Sequence, residues 1–133
     1  MPLAAIKIKS GIAFSIWRLE ENGKCEMLEF WENMDNGYRA KIDRSFRWTV
    51  ENGLLRNNEK FKYIGDGLYE FRTIDGVRVF CFLDEGKMLI CTGGYIKKKD
   101  KLDPAEISRA KILKSKYESE KSAETLTFEE QLI

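Results

Sequence analysis

Two arginines, Arg72 and Arg78, flank the turn-forming pair Asp75-Gly76, and a basic run, Lys97-Lys98-Lys99-Asp100-Lys101, follows Tyr95. Arginine presents a rigid fork of donors that matches two phosphate oxygens and stays charged at every relevant pH. Lysine supplies a point charge or, once deprotonated, a base, and neighbouring cations favour that neutral form. Tyrosine can give or take a proton through its phenol. These residue types bind anions and move protons. They carry most of the available chemistry, because the chain contains no histidine. Ser-His-Asp and Cys-His nucleophile systems, histidine acid–base pairs and His-containing zinc sites are excluded together. Cys25, Cys81 and Cys91 form an odd set without metal-ligand spacing, which reads as reduced thiols in a cytoplasmic protein. No spacing suggests a metal or nucleotide cofactor.

Whether the two arginines share a site depends on strand register. A two-residue Asp75-Gly76 turn pairs Ile74 with Val77 and sends Arg72 and Arg78 to opposite sides of the sheet. A three-residue Ile74-Asp75-Gly76 loop, with Gly76 left-handed, pairs Thr73 with Val77 and Arg72 with Arg78. Glu70, Arg72 and Arg78 then share one face, and Tyr69, Phe71, Val77, Val79, Cys81 and Leu83 the other. The second register segregates charge from apolar side chains, so it is the one expected. Facing arginines repel unless an anion lies between them. Either Glu70 ties them into a structural network, or the open face is an anion site suited to phosphate.

The elements that must hold these residues read as an α+β domain. A strand is expected over Ile12–Leu19, then a turn at Asn22-Gly23. Met27, Leu28, Trp31 and Met34 fall at helical spacing, giving a helix over about 25–35 that Asn36-Gly37 breaks. Tyr38, Ile42, Phe46, Thr49 and Val50 define a second helix stopped by Asn52-Gly53, and the short break suggests an antiparallel helix pair. From Phe61 the period becomes two, with strands at Lys60–Ile64, Leu68–Thr73, Val77–Leu83 and Lys87–Thr92: a three- to four-stranded antiparallel sheet. Asp103-Pro104-Ala105-Glu106 then opens a C-terminal helix with Ile107, Ala110, Leu113 and Tyr117 as its apolar stripe. Trp17, Trp31 and Trp48 are expected in the core or an interface, and Cys81 and Cys91 as buried thiols on neighbouring strands.

With 133 residues, 43% of them hydrophobic, the chain can build one ordinary domain with an ample core, and no apolar stretch is long enough to span a membrane. The start is too weakly apolar for a signal peptide. The net charge of +1 conceals an asymmetry: residues 118–133 hold one cation, Lys121, and five acids, so residues 1–117 form a mildly basic body. That balance permits a polyanionic partner but is weak support for nucleic acid alone. The acidic tail, 118–133, is read as disordered, as a short helix after Thr127, or as a segment lying on the basic face and shielding it.

Several stretches in a fixed order resemble HigB-like toxins of the RelE/ParE superfamily, in particular their phage-derived branch. These are Asn22-Gly23-Lys24 before an amphipathic helix; Lys60-Phe61-Lys62-Tyr63-Ile64-Gly65-Asp66-Gly67-Leu68-Tyr69-Glu70-Phe71-Arg72; Arg78-Val79-Phe80-Cys81-Phe82; Gly94-Tyr95-Ile96-Lys97-Lys98; and Pro104-Ala105-Glu106-Ile107-Ser108-Arg109-Ala110. The likeness covers roughly residues 12–117. It implies a RelE-like fold and the toxin of a type II toxin–antitoxin pair, a ribosome-dependent endoribonuclease. In that reaction the ribose 2′-OH attacks the adjacent phosphate, leaving a cyclic phosphate and a 5′-hydroxyl. The implied catalytic residues are Arg78 on the scissile phosphate, Lys97 and Lys98 in phosphate contact or proton transfer, and Tyr95. Arg72 matches a partly structural family arginine, and Lys60, Lys62, Lys99 and Lys101 are RNA-binding candidates. Gly93 stands where many relatives have histidine and Tyr95 where they often have phenylalanine. The implied partners are mRNA on the ribosome and a cognate antitoxin, with DNA met only through the antitoxin and no membrane. The alternatives are a catalytically silent phage-derived member acting by protein binding, and a ParE-like inhibitor of another target.

Overall fold

The computed structural model describes residues 2–97 and 104–130. In chain order its elements are β1 (Leu3–Ser10), β2 (Ser15–Glu21), α1 (Glu26–Asn33), α2 (Asn36–Asn52), β3 (Phe61–Gly65), β4 (Leu68–Arg72), β5 (Val77–Asp84), β6 (Met88–Ile96), α3 (Pro104–Ser122) and β7 (Thr127–Glu130). The class is α+β, as expected, but the sheet is larger than expected. Seven strands run in the order β3-β4-β5-β6-β2-β1-β7. The β3–β6 meander is antiparallel. It joins the β1–β2 hairpin through a parallel β2–β6 pairing, and β7 closes the far edge parallel to β1.

Residue chemistry accounts for the elements. Asp35 caps α2 by accepting from the Tyr38 amide, so the break between α1 and α2 falls at Met34-Asp35 and Asn36-Gly37 lies inside the first turn, a correction to the expected boundary. Gly53, with φ of 102°, ends α2 where glycine meets least steric cost. The N-terminal strand begins at Ser15 rather than Ile12, and β1 precedes it.

Two cores sandwich the sheet. Under α1 and α2, Met27, Ile42, Phe46 and Val50 pack on Phe71, Val77, Val79 and Leu89. Under α3, Ala110 and Tyr117 pack on Leu68, Phe80, Phe82 and Ile90, with Ile107 and Leu113 beside them. Both faces of the sheet are therefore occupied, which explains why β5 reads as an unbroken apolar run after Arg78. Cys81 and Cys91 are direct cross-strand partners, and all three thiols are free and buried. Burial pushes the Cys81 and Cys91 thiols well up, so thiolate chemistry is closed to them.

Through residue 130 the acidic tail departs from each of its three readings, and residues 131–133 lie outside the described residues. Residues 118–122 continue α3, and 127–130 form a strand rather than a helix. That strand lies at the opposite edge of the sheet from β3 and β4, remote from the expected basic face.

Candidate anion-binding site at the β4–β5 hairpin

The hairpin adopts the three-residue loop. Arg72 faces Arg78 in the β4–β5 ladder, the Thr73 amide donates to the Val77 carbonyl at 3.1 Å, and Gly76 has φ of 100°. A Cβ at Gly76 would also meet the Lys97 carbonyl oxygen at 2.7 Å, so this turn needs glycine twice over. The close approach carries a bond: the Lys97 amide donates to the Gly76 carbonyl at 2.7 Å, which holds the start of the basic run against the hairpin.

Glu70 sits between the two arginines. Its Oε1 lies 3.1 Å from Arg72 Nε and 3.7 Å from Arg78 Nε, while its residue is only 4% exposed. Arg78, 8% exposed, spends Nη1 on two hairpin carbonyls, donating to Thr73 and Val77 at 3.0 Å each. Arg72 donates through Nη1 to the Asn58 carbonyl at 3.0 Å. Lys62 is the cross-strand partner of Glu70, and Tyr95 that of Arg78, its ring stacked on Phe80 at 5.6 Å.

Electrostatics follow from this crowding. Burial pushes the Glu70 carboxyl above its ordinary value, against the pull of Arg72, Arg78, Lys62 and Lys97. Burial and the adjacent Arg72 draw the Arg78 guanidinium below its ordinary value, against Glu70 and Tyr95. One carboxylate thus stands among four cations, and its Oε2 has no hydrogen-bond partner among the described residues. The network neutralises part of the charge and leaves a positive excess that an anion can complete.

The structure therefore gathers Arg72, Arg78, Tyr95, Lys62 and Lys97 around Glu70. The face is not wholly open, as the sequence had suggested: toward α3 it turns apolar at Leu68, Phe80 and Phe82. Lys60 does not contribute to the field at Glu70 but lines, with Arg72 and Arg78, a cleft of about 490 Å³ at the sheet edge. Lys98, Lys99 and Lys101 fall outside the described residues. Lys41 and Arg44 of α2 line the same cleft and were missed. The sign available was helical spacing, since both sit on the polar side of the helix that buries Ile42 and Phe46. Among the described residues no group of three or more Cys, Asp or Glu is placed to hold a metal ion, and no helix is long and apolar enough to cross a membrane.

Fold and site together define an α+β protein whose sheet carries a cation-rich cluster around one buried carboxylate. The sequence profile described as Phage derived protein Gp49-like (DUF891) matches residues 29–115, more than half of the chain. The chain belongs to this family. The match runs from within α1 into α3, so β1, β2 and β7 lie outside it. No curated protein matches the chain by sequence.

Proposed function

We propose that the chain is a HigB-like toxin of the RelE superfamily, the ribosome-dependent endoribonuclease of a type II toxin–antitoxin pair. Membership of the phage-derived Gp49-like family supports this reading. The single observation that carries it is the Arg72–Glu70–Arg78 cluster, with Lys62 and Lys97 adding to its field. Its function would be to bind the scissile phosphate and spread the charge of the phosphorane over fixed guanidinium donors. Arg78 is the principal phosphate ligand, because hydrogen bonds to the hairpin fix its fork in place. Arg72 supports it from the facing strand.

Proton transfer in a chain without histidine falls to Tyr95, Lys97 and Lys98. One of these three, deprotonated, would take the 2′-OH proton as the 2′ oxygen attacks phosphorus, and another, protonated, would give its proton to the 5′ oxygen as the P–O5′ bond breaks. Glu70, buried with its Oε2 closed off from solvent, holds the two guanidinium groups in place and does not meet the substrate. Lys60, Lys99 and Lys101 would hold flanking phosphates. The cognate antitoxin, in this reading, covers the same face, and the site of action is the cytoplasm.

The deciding test is a reconstituted translation reaction read by primer extension, with and without ribosomes. Cuts should appear only with ribosomes and should fall by about a hundredfold or more in Arg78→Lys, which keeps the charge but loses the fork. Intact mRNA in both conditions would refute the endoribonuclease. Harmless high-level expression would then favour the protein-binding alternative, and a replication block with intact mRNA the ParE-like one.

A further inference from the structure

Beyond the hairpin cluster, the cleft at the sheet edge continues into a second, larger one of about 900 Å³ along α2, and the two share Arg44, Ser45 and Lys60. The far stretch is lined by Trp48, Arg56 and the loop residues Leu54 and Leu55. Trp48 lies outside the core: it is 45% exposed, presenting its indole to this groove, whereas Trp17 is buried and Trp31 stacks on Phe46 at 6.4 Å.

Three cations of the groove differ from the other cations of α2. Lys41 is held by Asp75, Arg47 by Asp43, and Arg39 by the Trp31 and Glu32 carbonyls. The side chains of Arg44, Arg56 and Lys60 have neither an ion pair nor a hydrogen bond among the described residues. Most described cations elsewhere on this surface are paired, so three unpaired ones along one groove form a track of uncompensated positive charge. One carboxylate, Glu59, stands at the Arg72 end.

We propose that this groove binds the single-stranded RNA that flanks the phosphate held at Arg72 and Arg78. A base stacks on Trp48, and phosphates are held by Arg44, Arg56 and Lys60. Positive charge along a track combined with an exposed aromatic ring is the arrangement that holds a single strand without reading its sequence. The inference rests on the endoribonuclease reading for its substrate, but it makes a separate prediction about binding.

The test uses the full chain, a short fluorescein-labelled oligouridylate and no ribosomes. Anisotropy gives the affinity and tryptophan emission reports the stacking. RNA should quench the emission. Trp48→Ala should abolish that quenching and weaken binding about tenfold. Arg44→Ala with Arg56→Ala should flatten the dependence of log K on log salt by about 0.7 per cation removed. Circular dichroism of each variant confirms the fold, which a half-exposed side chain leaves intact. Unchanged affinity and quenching in Trp48→Ala, or no RNA binding by the wild type, would overturn the proposal. So would tight binding of polyglutamate that RNA fails to displace, which would assign the groove to an acidic protein segment. Cleavage on ribosomes without this binding would sink the groove alone, and groove binding without cleavage the endoribonuclease alone.

Discussion

Arg78 carries two loads that a substitution must separate. Its guanidinium bonds two hairpin carbonyls and faces a buried carboxylate, so Arg78→Ala removes one of two partners from each of these groups and should cost about 2–3 kcal/mol of stability. Arg78→Lys keeps the charge and should cost only about 1–2 kcal/mol in urea melts while still removing cleavage. Glu70 provides a pH signature. Because burial raises its pKa in the folded state, the native chain binds this proton more tightly than the unfolded chain does. Its contribution is complete below the ordinary carboxylate value and is lost as pH rises through the raised one. Relative to Glu70→Gln, the wild type should therefore lose stability as pH rises above the ordinary glutamate value. Parallel denaturant melts across that range would show it, and a constant difference between the two proteins would contradict it.

At the scale of elements, α3 is pinned to the sheet by a polar clasp. The Tyr117 hydroxyl donates to Asp84 Oδ2 at 2.6 Å and Lys121 Nζ to Asp84 Oδ1 at 2.6 Å. Burial alone would raise the Asp84 carboxyl, but the bonds from Lys121 and Tyr117 hold it below the usual carboxylate value. A lowered native pKa means that the clasp stabilises above the ordinary aspartate value and is lost as pH falls through it. Tyr117→Phe should lower stability by about 1 kcal/mol, read as a drop in Tm, with the ring still packed on Phe82. On the other face, α1 lies close on β6 at Gly94. A Cβ there would meet the Arg78 carbonyl oxygen at 2.4 Å and the Phe30 ring at 2.6 Å. Gly94→Ala should consequently cost about 1–3 kcal/mol and disturb the strand that carries Tyr95, measured as lower thermal stability together with weaker cleavage.

Over the whole molecule, β7 of the acidic tail forms the sheet edge opposite β3, four strands from β5, which carries Arg78. Phe128 packs edge-on to Trp17 with ring centroids 5.6 Å apart, and Lys7 pairs with Glu130. Removing residues 124–133 should thus lower Tm by uncovering the β1 edge, while RNA affinity at the groove stays unchanged. A rise in affinity on truncation would restore the idea of an acidic shield, so anisotropy on the truncated chain decides between them.

What residue order determined by itself was local. Side-chain period and turn chemistry placed the helices, the β3–β6 meander and the register that sets Arg72 against Arg78, because one slip would have buried charge among Phe71, Val77 and Val79. The absence of histidine limited the chemistry before any fold was known. Tertiary structure decided the rest. The strand β1, Leu-Ala-Ala-Ile-Lys-Ile-Lys-Ser, is too weakly patterned to declare itself, and β7 is a four-residue strand exposed throughout; both exist through pairing with distant chain. Burial of Glu70 among four cations and the joining of α2 to the β3–β4 edge in one groove likewise depend on contacts between residues far apart in sequence. Periodicity reports which side of an element is apolar, but not what is brought to lie beside its polar side. That is settled only when the sheet closes.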